Sequence, residues 1–195
     1  MKNLPPILLV IWLITALWSA INPANWTVWW AEMIPVLLIV FGFAFTYHRF
    51  KFSHTAYAFA FVWLIMHTIG AHYTFEFVPF DWFTNFFGFE RNHYDRLAHF
   101  AIGFYAVPFA EIILNKKIVQ KFTTAFFFAV FFIMSLAAAY EILEWQFAVI
   151  FGGDEAQSFL GSQGDYWDAQ KDMLADTLGA ITSLCLYKII KKTIF

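Results

Sequence analysis

In Tyr140-Glu141-Ile142-Leu143-Glu144-Trp145 two carboxylates stand three residues apart, just after the small-residue run Ala137-Ala138-Ala139. On a helix that spacing puts both on one face. The segment Asp95-Arg96-Leu97-Ala98-His99-Phe100 stacks an aspartate and an imidazole four apart in the same way. A third segment repeats aspartate at Asp168, Asp172 and Asp176, and Gly179-Ala180 follows where a neighbouring helix comes closest. Pooled carboxylates cannot all ionise unless a cation or a shared proton compensates them. Mixed carboxylate and imidazole donors suit zinc, manganese or iron, and an oxygen-only subset suits magnesium or calcium. The expected chemistry is therefore a divalent metal (Zn, Mn or Mg) held by His99, Glu141, Glu144 and Asp172. Asp95, Asp176 and His67 support those ligands, and Asp165 or Asp168 serves as general base toward water. Gln163 and Trp167 flank the loop Gly161-Ser162-Gln163-Gly164-Asp165, whose glycines let backbone approach a ligand, and are expected to meet a substrate headgroup.

Each residue also has a plainer role. Asp95 and Asp168 sit where a carboxylate caps a helix N-terminus. A single histidine inside a bundle is more often a hydrogen-bonded structural group than a ligand. His67 and His72, five apart, point to different helical faces, and Gly70 between them is a candidate break. His48, His54 and His93 fall in loops and receive no role.

The elements that must carry these residues are membrane spans. The 195 residues are 61% hydrophobic, 23% aromatic and 13% charged, against about 25% charged in soluble domains. That composition excludes a water-soluble globule and a disordered tail, and 12 basic against 14 acidic residues exclude a nucleic-acid binder. One cysteine, Cys185 in an apolar run, excludes a disulfide framework. Six stretches approach the roughly 20 residues a helix needs to cross a bilayer: 6–21, 29–47, 56–75, 95–114, 122–150 and 168–190. The reading is a single all-α domain over 1–195, a polytopic bundle of six transmembrane helices. The first stretch has signal-like features, but Trp18 stands where cleavage needs a small residue, so it is read as a retained helix. Asn22-Pro23 ends it, and Trp26, Trp29 and Trp30 are expected at the interface. Residues 76–94 read as an interfacial amphipathic segment with Asp81, Asn85 and Glu90 solvated. Phe-rich runs such as Phe126-Phe127-Phe128 are lipid-facing or packing surface.

Nine of the 12 basic residues fall at the N-terminus, the second and fourth loops and the C-terminus: Lys2, Arg49, Lys51, Lys116, Lys117, Lys121, Lys188, Lys191 and Lys192. Glu111 is the one acid among them, leaving eight positive charges in excess. Arg91, Arg96 and Lys171 share the opposite side with the other 13 acids, leaving ten negative charges in excess. Because basic loops stay cytoplasmic, both termini are expected inside (N-in/C-in), with the acidic loops outside. The ends of span five and the starts of spans four and six then share one outward-facing level.

At these residues the chain resembles the YjdF-like bacterial inner-membrane proteins, a family with no assigned reaction, over nearly its whole length. The likeness runs through Tyr94-Asp95 with His99-Phe100, Tyr140-Glu141 with Glu144-Trp145, Leu160-Gly161, Gln163-Gly164-Asp165, Trp167-Asp168, Gln170, Asp172-Met173 and Gly179-Ala180, together with His67, Gly70 and Tyr73-Thr74. The later helices are distantly similar to VanZ-like membrane proteins, which share an Asp-x-x-x-His opening and an Asp-rich last helix. Both resemblances imply a multi-pass protein of the bacterial cytoplasmic membrane.

The function expected first is a metal-dependent hydrolase or transferase for a lipid-linked or amphiphilic substrate at the outer leaflet, with the lipid bilayer as constant partner. A non-catalytic receptor for a headgroup, cation or peptide is the second reading. A cation or proton-coupled transporter is the third, disfavoured because the inner halves of the spans carry almost no polar residue apart from Glu111.

Overall fold

The computed structural model describes residues 3–194. Lys2, and the side chain of Lys192, both in the basic set above, lie outside the described residues. Among the described residues the chain is entirely helical: α1 (Leu4–Ser19), α2 (Trp26–Thr46), α3 (His54–Tyr73), α4 (Asp81–Phe87), α5 (Tyr94–Ile102), a 3-10 turn (Gly103–Tyr105), α6 (Ala106–Asn115), α7 (Phe122–Phe151), α8 (Gly153–Leu160) and α9 (Asp168–Ile194). By length and composition four helical units can cross a membrane: Trp26–Thr46, Tyr94–Asn115, Phe122–Phe151 and Asp168–Lys191. α1 is apolar but only 16 residues long, or roughly 24 Å. α3 has 20 residues but a less apolar sequence.

Local signals explain most of the boundaries. Asn25 caps α2, its Oδ1 accepting from Thr27 N at 2.8 Å and Val28 N at 3.1 Å. Ser53 caps α3 through Ala56 N. The fourth expected span is interrupted where Pro108, which has no N–H, leaves the carbonyl four residues earlier without its helical donor, and the chain tightens into the 3-10 turn at 103–105. Gly70 does not break α3. The helix continues to Tyr73 and ends at Thr74 in the left-handed region, and a Cβ at Gly70 would overlap the Phe75 ring folded back against it. α4 presents Trp82, Phe86 and Phe87 outward, with Asp81, Asn85 and Glu90 exposed, as an interfacial segment should. Of the expected tryptophan belt, Trp26 and Trp30 face outward. Trp29 is instead buried and donates Nε1–H to Ser19 Oγ at 3.2 Å.

Loop contacts sort the helix termini into two ends. At one end Ala24 N donates to His72 O (2.9 Å), and Asn92 and Gln163 exchange two hydrogen bonds. At the other, Ser53 N donates to Glu111 Oε2 at 2.9 Å. Successive long helices therefore alternate in direction, and the starts of α5 and α9 lie beside the end of α7. α5 and α9 meet at two glycines. A Cβ on Gly179 would overlap the Phe100 carbonyl, and one on Gly103 would overlap the α9 backbone near Asp176 and Ala180. This close crossing sets Asp95 and His99 against Asp172 and Asp176.

Candidate functional site

His99, on the first turns of α5, is held from two sides. Its Nδ1 lies 3.2 Å from Asp176 Oδ1 on α9, and its Nε2 lies 3.7 Å from Asp95 Oδ1 one turn back on its own helix. Asp95, His99 and Asp172 can each offer one donor atom such that all three lie within 4.8 Å of one another, with the two aspartates buried. Asp176 engages Nδ1, so Nε2 is the nitrogen left to that cluster. Gly161 (φ +58°) draws the loop backbone over Asp95, where an added Cβ would lie 3.6 Å from Asp95 Oδ2.

A cavity of about 280 Å³ opens beside the cluster. Its polar wall carries Asp95, His99, Glu144 and Asp176, and also Glu32, His67 and Tyr140. Glu32, on α2, is almost fully buried. Its Oε2 lies 3.0 Å from His67 Nε2 and accepts from Tyr140 O–H at 2.7 Å. His67 is thus tied to α2 rather than to His99, while His72 turns away to the Ser19 carbonyl at 2.9 Å. Glu141, one turn before Glu144, has a buried Oε1 without a hydrogen-bond partner, and its charge interacts with those of His99, Asp176 and Asp95.

Above the cavity lies a lattice of ion pairs. Arg96 spans three carboxylates, with Nη2 at 2.5 Å from Asp168 Oδ1 and 3.7 Å from Asp165 Oδ2, and Nη1 at 3.0 Å from Asp172 Oδ1. The Arg96–Asp172 approach has ion-pair distance without hydrogen-bond geometry, so that oxygen keeps a free acceptor direction. Arg91 adds Asp168 at 2.7 Å and Asp165 at 3.4 Å, and Lys171 reaches Asp165 at 2.6 Å. The Lys171 hydrogen bond and the Trp167 N–H hold the Asp165 carboxyl below its ordinary range. Burial lowers the basicity of nearby His93, helped by Arg91, Arg96 and Lys171, and burial raises Glu76 against the pull of Arg91.

The expected residues therefore divide. Asp95, His99, Asp172 and Asp176 come together, with Glu144 on the cavity wall, whereas Glu141 is not one of the residues that line it. Asp165 and Asp168, expected as bases, are each bound to cations, which weakens a carboxylate as a proton acceptor. Gln163 is spent on the Asn92 backbone, and Trp167 stands exposed against Tyr166. Glu32, Tyr140, Arg91 and Arg96 were missed. Glu32 carries the signal used elsewhere, an acid within an apolar span. Arg96 is legible only as a base among acids on the acidic side.

The profile of the family described as "Predicted membrane protein (DUF2238)" matches residues 4–193. The chain is 31% identical over 170 residues to the inner membrane protein YjdF of Escherichia coli strain K12, an alignment covering 86% of this chain and 81% of that one. No solved structure matches it. With several helices apolar enough to span a bilayer, it is, like that relative, an inner-membrane protein. The chain belongs to the DUF2238 family of membrane proteins.

Proposed function

We propose that this protein is a metal-dependent hydrolase or transferase acting on an amphiphilic or lipid-linked substrate at the outer leaflet, within a six-span bundle whose termini are both cytoplasmic. The carrying observation is that the Asp95, His99 and Asp172 donors converge within 4.8 Å of one another beside a cavity of about 280 Å³. Two carboxylates and an imidazole fit zinc or manganese. The buried, unpartnered oxygens of Asp172 and Glu141 fit a further donor demand. A bound divalent cation supplies an electrophile for an ester or phosphoester oxygen and a more acidic bound water. In this reading Asp176 fixes the His99 tautomer, Glu144 accepts a proton from the cavity side, and Asp165 and Asp168 hold the 161–167 loop closed over the site through the two arginines. The transport reading has less support, because below Glu32 and His67 the cavity wall turns apolar at Trp63, Ile39, Ile102 and Ile133.

Elemental analysis of the purified chain tests this. About one divalent metal per chain is expected by the three-donor arrangement, with loss in an Asp95→Asn/Asp172→Asn variant. Metal-free protein whose melting temperature does not move on adding Zn²⁺, Mn²⁺ or Mg²⁺ would leave a headgroup receptor as the better reading.

A further inference from the structure

The cavity beside the candidate metal site is amphiphilic along its length. Its upper wall carries Asp95, His99, Glu144 and Asp176, while its lower wall is Trp63, Ile39, Ile102, Ile133 and Leu136. Two helices flank it without packing closely on each other: α2 packs on α3 and touches α8, and α7 packs on α6, α8 and α9. The Tyr140–Glu32 hydrogen bond joins α2 to α7 near the polar level, and α8 closes the top. The wall includes Leu136 and Ala139 beneath that bond and Leu143 just above it, all exposed on the outer surface of α7, so the cavity opens sideways toward the hydrocarbon.

From Glu144 to Ile133 the α7 wall descends eleven residues, or roughly 16 Å at the helical rise. That is about half of the roughly 30 Å hydrocarbon core, the depth of one leaflet. We propose that a single hydrocarbon chain of an outer-leaflet lipid enters laterally between α2 and α7, lies along Ile39, Ile133 and Leu136, and delivers its polar end to the Asp95–His99–Glu144 level. The inference rests on the proposed function for what happens at the polar end. A soluble headgroup alone would leave the apolar half of the cavity without an occupant, whereas a chain one leaflet deep matches both its depth and its polarity.

The full chain is reconstituted in phosphatidylethanolamine and phosphatidylglycerol vesicles doped with a phospholipid carrying a diazirine on its acyl chain, irradiated, and mapped by peptide mass spectrometry. Adducts are expected on Trp63 and Ile133, which are 4% and 1% exposed and out of reach of bulk lipid. Ala137→Trp, which fills the groove from α7, and Ile39→Trp, which fills it from α2, should each remove those adducts and leave the outward ones. Adducts confined to outward residues such as Leu38 and Phe131 in the unmodified chain would overturn the proposal, whatever the fate of the variants. Metal is measured on the same samples. Adducts at Trp63 and Ile133 in metal-free protein uphold the lipid groove and sink the metal reading. Bound metal without those adducts does the reverse.

Discussion

Arg96 holds its position because three carboxylates need it. Its side chain is 16% exposed, and Asp168 and Asp172 are 8% and 4% exposed. Removing one partner of a buried pair leaves the other charge desolvated, at a cost of about 3–5 kcal/mol. Arg96→Gln should therefore lower thermal stability sharply. Arg96→Lys, which keeps the charge but not the fork that reaches two sides at once, should fall between. A melting series that ranks Lys no better than Gln would mean the fork matters and the charge does not. His93 gives a sign for pH. Its folded-state pKa is lowered, so the folded chain binds its proton less readily than the unfolded chain does. Stability on its account is undiminished above about 6.5, the ordinary histidine value, and declines as pH falls below it. His93→Gln should flatten that part of the profile, as read from melting temperature across pH, relative to the unmodified chain. The acids and His99 were legible in the sequence because ionisable groups in apolar spans are rare. Their partners were not, because an arginine at a span edge looks the same whether it meets solvent or three aspartates from a loop and helix some seventy residues away.

α5 and α9 are aligned by two glycines facing each other's backbone. Gly179→Ala would drive its methyl into the Phe100 carbonyl, which is backbone and cannot rotate aside, so the helices must separate. Overpacking of this kind costs about 1–3 kcal/mol, occasionally more. The shift should also carry Asp172 and Asp176 away from His99, so if a metal binds as proposed, its retention should drop along with stability in Gly179→Ala. Gly42→Ala, with open space around it, should alter neither. If Gly179→Ala retains metal fully, the glycine contact is packing alone and does not set the donor geometry. Helix positions were readable from apolar runs, and the Ser53 cap that starts α3 at His54 emerges only from the structure. The break at 103–105 needs Pro108 read against a carbonyl it cannot serve, which hydropathy alone does not show. α8 escaped because its Gly-rich, polar start, Gly153-Asp154-Glu155, reads as loop, and only its packing on the end of α7 and against α2 places it over the top of the cavity.

The proposed orientation rests on how the charges divide between the two ends. One end gathers the loops holding Arg49, Lys51, Lys116, Lys117 and Lys121, and the other gathers Arg91, Arg96 and Lys171 inside a surplus of carboxylates that already engage them. In the proposed orientation the first of these ends is the cytoplasmic one, because loops rich in Lys and Arg are retained there. α1 decides the proposed span count, since its roughly 24 Å falls short of a bilayer core of about 30 Å, a difference that local thinning or flanking residues reaching to the interface would meet if α1 crosses. Single cysteines in a Cys185→Ser background test the whole arrangement with a membrane-impermeant maleimide. Glu90→Cys and Asn22→Cys should label in cells whose inner membrane is intact, and Lys117→Cys and Lys51→Cys only after it is permeabilised. Labelling of Asn22→Cys only after permeabilisation, with Glu90→Cys unchanged, would mean that α1 does not cross. The Ala24–His72 hydrogen bond would then have to be broken, because it ties the end of α1 to the same level as the end of α3.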